Sequence, residues 1–157
     1  MITRMTKAIV LGLTIMMFAM AADLPTKKYL NLAAIKKMVA AAEAEAQKRN
    51  VNVTICIVNE SGMLLFLQKA DGATMNTIGY AEKKAKYAAI YERPSKVSAD
   101  ALKNGSLINL VAPDNFPNQG GLPIKVDGIT IGGIACSGAA SEVDEAIAQA
   151  GIDALLK

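Results

Sequence analysis

Residues 120–138 read GGLPIKVDGITIGGIACSG, and their pattern decides the fold class. Residues 123–126 form a short apolar-leaning strand. Asp127 and Gly128 both tolerate positive φ, which a two-residue hairpin turn requires. Residues 129–136 return as a second strand. It starts by alternating, Ile129 and Ile131 against Thr130 and Gly132. By Ile134 and Cys136 it is apolar on both faces, the pattern of a central strand covered on both sides. Gly132, Gly133 and Ala135 leave room for a close neighbour.

On the C-terminal side, Ser137 and Gly138 lead into a helix over residues 142–156. Ser141 with Asp144 three residues on resembles a capping box, and Glu142, Asp144 and Glu145 suit the positive end of a helix. Val143, Ile147, Ala150, Ala154 and Leu155 are the expected inward positions. On the N-terminal side, Gly120 and Gly121 leave two readings open. Paired glycines can present N–H groups to an anion, or they can allow a tight reversal. The chain has neither a P-loop nor a dinucleotide-binding glycine fingerprint, so nucleotide binding is not indicated.

Upstream, residues 32–49 carry Ile35, Met38, Val39, Ala42 and Ala46 at helical spacing, with Asn31 as N-cap and Asn50 as a left-handed stop. Residues 51–58 and 63–68 form an antiparallel hairpin around a turn at 59–62. A second helix starts at Thr74 or Met75 and runs to Glu92, stopped by Pro94. Ile78, Ala81, Ala85 and Ala88 give it a small-residue face. Tyr80, Lys84, Tyr87 and Tyr91 form another stripe, which reads either as a packing or interface surface or as the wall of a ligand pocket with Lys84 meeting an anion. Residues 95–104 form a short helix, residues 107–111 a brief strand, and residues 113–119 an irregular loop.

At 157 residues, with 52% apolar and 20% charged content, the chain makes one domain with a real core. Residues 1–22 read as a secretory signal peptide: a short basic start, a moderate apolar run, and Ala19-Met20-Ala21 as a small-x-small cleavage site. Residues 23–157 are then the single domain, periplasmic or secreted, with no stable membrane anchor after cleavage. Taking Arg4 and Lys7 of the signal segment from the 17 basic residues leaves near balance with the 14 acidic ones. A nucleic-acid partner is therefore not expected.

No His/Cys cluster has metal-ligand spacing, and no His stands beside Ser137 to make a nucleophilic triad. No catalytic or metal residue is assigned. Asp71, Lys84 and Ser137 are candidates to converge on a small organic acid. Cys56 and Cys136 each lie late in a strand and are either a disulfide or two buried thiols.

These pieces together resemble the GlcG/HbpS-like family, haem-degrading-domain-like and related to the PduO C-terminal domain. The resemblance rests on Gly62-Met63-Leu64, Asp71-Gly72-Ala73, Ala81 with Lys84-Ala85, Gly120-Gly121-Leu122-Pro123, Asp127-Gly128 with Ile131-Gly132, and Ser137-Gly138 followed by Asp144. It implies an α+β, profilin-like fold, a central antiparallel sheet of four to five strands with helices packed on it. Such a sheet sets its first and last strands side by side. The resemblance also implies a homo-oligomer built from dimers, and a small organic ligand or haem. The chain has no histidine, the commonest neutral haem ligand, so tyrosine, methionine or cysteine would have to serve. The cofactor-binding candidates are Tyr80, Lys84, Tyr87, Tyr91, Gly120, Gly121 and Ser137. The functional expectation is a small-ligand-binding protein with haem as one candidate. The alternatives are an oligomeric interaction module without haem, and an enzyme acting on a small organic acid.

Overall fold

The computed structural model describes residues 24–157. The expected signal peptide lies outside the described residues. The elements run α1 (Leu32–Lys48), β1 (Thr54–Asn59), β2 (Leu64–Lys69), α2 (Asn76–Ile90), α3 (Lys96–Lys103), a 3-10 turn (Leu107–Leu110), β3 (Gly121–Val126), β4 (Ile129–Ser137) and α4 (Ser141–Leu156). The four strands form one antiparallel sheet in the order β2-β1-β4-β3. This is the expected α+β architecture, with four strands, and β1 and β4 are neighbours at its centre.

Local chemistry explains most element ends. The Asn31 side chain accepts the Ala34 N–H at 2.8 Å, and Asn50 takes φ 54° after the last turn of α1. Asp127 and Gly128 both have positive φ, 51° and 78°, as the hairpin requires. The segment read as a strand around 107–111 is a 3-10 turn instead. Its apolar side chains stay largely exposed, Leu107, Ile108 and Leu110 among them, so no sheet recruits them. Helix α2 ends at Ile90, before Pro94 can act, and Glu92 adopts φ 54°.

The sheet separates two layers. Helices α1 and α4 cover one face, where Ile35, Met38, Ile55, Ile57, Ile124, Ile134, Cys136 and Ile147 form the main core. Helix α2 covers the other with Ala81, Ala85 and Ala89 against Cys56, Val58 and Ala135. A Cβ on Gly133 would overlap the Ala85 carbonyl and stand 3.0 Å from the Ala89 nitrogen, so the close neighbour of β4 is the backbone of α2. The buried face of α4 is turned from the expected one. It comprises Asp144, Ile147, Ala148, Gly151 and Ile152, with Ala150 and Ala154 only partly covered.

A disulfide is ruled out by register. Ile55 pairs with Cys136 and Cys56 pairs with Ala135, and successive strand residues point to opposite faces. The two thiols therefore lie on opposite sides of the sheet. Both are free and buried. Burial, with a smaller contribution from Glu82, pushes the Cys56 thiol up to about 12; burial first, and the Asp144 carboxylate second, push Cys136 up as well.

Two glycines test this packing with the same chemical change. Gly133→Ala must displace α2 and is expected to cost about 1–3 kcal/mol. Gly79, inside α2, has open space at its Cβ position, so Gly79→Ala is expected to stabilise by about 0.5–1 kcal/mol. Urea unfolding of both variants checks the opposite signs.

Candidate functional site

The site forms where the two helical layers meet around the end of β4. Lys84 comes from α2 and Asp144 from the first turn of α4. Lys84 Nζ lies 3.0 Å from Asp144 Oδ2 and donates to the Cys136 carbonyl at 3.0 Å. The two side chains are only 2% and 3% exposed. The other Asp144 oxygen accepts the Ala139 N–H at 3.0 Å, so this carboxylate, and not Ser141, makes the polar contact at the helix start. Ser141 is the first helical residue, and Ala140 stands at the cap.

Gly120 and Gly121 make room for this pair. A Cβ on Gly120, whose φ is +124°, would lie 2.8 Å from Lys84 Nζ and 3.0 Å from Asp144 Cβ. A Cβ on Gly121 would overlap the Lys84 carbonyl. The Gly121 N–H is taken by the Ser95 hydroxyl at 2.9 Å, and the Gly121 carbonyl accepts the Ser95 N–H. The paired glycines are thus a clearance for a buried lysine, and the anion-facing role raised from the sequence is not available to the Gly121 amide.

Above the pair lies a cleft of about 270 Å³ with a mainly polar wall. Its lining includes Tyr80, Lys84, Ser137 and Asp144, with Thr74, Asn76, Thr77, Asn118 and Ser141. Of the sequence candidates, Tyr80, Lys84 and Ser137 come together here. Tyr87 and Tyr91 do not. Tyr87 is fully buried, stacks on Tyr91 at 4.6 Å and accepts from Arg93 Nε at 2.8 Å. The Tyr91 hydroxyl donates to the Pro113 carbonyl. Tyr91 thus anchors the 113–118 loop, whose Phe116 meets Tyr80 edge-on at 5.4 Å. Asp71 is exposed and is not part of the lining.

The sequence holds one cue to Asp144 as the lysine's partner. Asp144 shares the stripe of Ile147, Ala148 and Gly151, just as Lys84 shares that of Ala81, Ala85 and Ala88. A charge on each of two buried stripes calls for a partner. Asp144→Ala leaves the ammonium buried and unpaired and is expected to cost about 3–5 kcal/mol, whereas a Lys84→Met, Asp144→Leu double variant should recover most of that loss. Denaturant unfolding of the single and double variants measures the difference.

Known proteins share this fold. The family model described as "Haem degrading protein HbpS-like" matches residues 30–153. Protein GlcG of Escherichia coli K12 is 32% identical over 112 residues, 71% of this chain and 84% of its own. A double mutant of Streptomyces reticuli HbpS superposes with a TM-score of 0.76 at 29% identity, covering 86% of this chain and 92% of that one. The PduOC–haem complex gives 0.74 at 27%, covering 81% and 95%. With the family model matching residues 30–153 and the fold in common, this protein belongs to the HbpS-like family.

Proposed function

We propose that the protein binds a small organic ligand in the Ser137–Lys84 cleft, with haem as the first candidate. The observation that carries the reading is the cleft itself, a concave polar site whose floor is a buried ammonium–carboxylate pair. Haem is the candidate because a chain of the same fold is known as a haem complex.

The residues present fit one part of haem. A propionate suits the cleft floor, with Lys84 and Ser137 as donors, and the Tyr80 phenol at the mouth is 41% exposed and has iron-donor chemistry. The porphyrin ring is larger than this cleft and would lie outside it. A roomier and more apolar groove of about 510 Å³ lies between residues 25–28 and the β3–β4 hairpin, but its lining holds no phenol, thioether, thiol or imidazole. Bound haem would supply iron redox chemistry. This chain's residues would hold its carboxylate and orient its edge.

Titrating haem into the protein and following the Soret band tests this. A saturable shift that Tyr80→Phe weakens is expected. A linear, unsaturating rise would overturn the haem assignment.

The same reading extends to place and assembly. The protein is exported through its N-terminal signal segment and works in the periplasm or outside the cell. It assembles as a homo-oligomer built from dimers, a reading supported by the exposed Leu64 and Leu65 on the edge strand β2. Among the described residues no helix is long and apolar enough to cross a membrane. N-terminal sequencing of the protein from the host's envelope and medium should start near residue 22 or 23, and sedimentation equilibrium should give an even multiple of the 16.5 kDa chain less its signal segment. An intact Met1 terminus or a monomer would overturn the respective part.

A further inference from the structure

We propose that the floor of this cleft is a carboxylate site, taking the acid group of a small, hydroxyl-bearing organic acid. The proposal rests on the cleft being the ligand site and assigns the chemical class of its occupant.

Three observations converge. Ser137 is only 6% exposed and lines the cleft, yet its hydroxyl has no hydrogen-bond partner among the described residues. Its register with Thr54 places it on the α2 side of the sheet, where Thr54 bonds Thr77 at 2.7 Å. The hydroxyl therefore faces the cleft as a free donor and acceptor. Lys84 has three N–H donors, and among the described residues two are used, on Cys136 and Asp144. The third belongs to a group that lines the cleft. Helix α4, 16 residues long, starts at Ser141 in the cleft wall; the Val143 and Asp144 amides bond the Ala140 carbonyl, which leaves the Ser141 and Glu142 amides as the first-turn donors without an acceptor among the described residues.

The floor thus offers donors, while the acceptor beside them is already committed: both Asp144 oxygens are bonded, one to Lys84 and one to Ala139. A floor where free donors outnumber free acceptors favours a group that only accepts, which an ionised carboxylate is. Glu142, in the same turn, is exposed and outside the lining. Size and rim chemistry narrow the class. At about 270 Å³ the cleft suits an acid of a few heavy atoms. Thr74, Asn76, Asn118 and Tyr80 both donate and accept, which suits hydroxyl substituents better than an alkyl tail.

Amide chemical shifts of the isotope-labelled protein, followed during titration with glycerate, butyrate and inorganic phosphate, test the assignment. Glycerate is expected to move the Ser137, Gly138 and Ser141 amides saturably and to bind more tightly than butyrate. Ser137→Ala, with an otherwise native spectrum, is expected to weaken glycerate about tenfold. No saturable shift with glycerate, equal binding by the Ser137→Ala variant, or phosphate binding as tightly as glycerate would each overturn the carboxylate class. If haem moves these amides and glycerate does not, the class fails while the cleft stands as the ligand site. If neither moves them, both readings fail.

Discussion

The Lys84–Asp144 ion pair is the constraint around which this fold is arranged. It joins a helix on one face of the sheet to a helix on the other, and it does so with both side chains almost wholly out of water. Desolvating two charges costs several kcal/mol per ion, and mutual attraction offsets that only with good geometry and further hydrogen bonds. Those are present: the Cys136 carbonyl for the ammonium, the Ala139 amide for the carboxylate. The arrangement also dictates sequence at a distance. Residues 120 and 121 must lack a Cβ, because one would meet the Lys84 ammonium and the other its carbonyl. The chain enters β3 beneath a lysine placed some 36 positions earlier.

Features set by neighbours in sequence were legible, and features set by neighbours in space were less so. The apolar face of α1, Ile35, Met38, Val39, Ala42 and Ala46, is buried as its spacing predicts, and the Asp127-Gly128 turn fixes the β3–β4 hairpin. Helical spacing sets Lys84 on one stripe with three tyrosines. Periodicity gives a residue's angle around a helix, but not the depth of what covers that angle. The 113–118 loop splits the stripe: Phe116 meets Tyr80, and the Pro113 carbonyl holds Tyr91. A loop's path over a surface has no period to read. The cysteines show the same limit. Their strands are adjacent as expected, yet a one-residue offset puts the thiols on opposite faces.

The site's chemistry narrows the functional readings further than the family does. Conventional haem pockets combine an apolar slot with a strong axial donor. This cleft has a polar wall, and the chain has no histidine. What it does have is a set of donors lining one cleft, of which Lys84 is held by an ion pair that also joins the two helical layers. A ligand's acid group entering this cleft would complete the hydrogen bonding of Ser137 and use the remaining Lys84 donor. It would do so without separating the ammonium from Asp144. By linkage, any occupant of the floor should raise the protein's resistance to unfolding by an amount that grows with the logarithm of its concentration over its Kd. That linkage holds for a haem propionate and a free hydroxy acid alike, so the two ligands would differ in what happens above the floor, at Tyr80 and the rim.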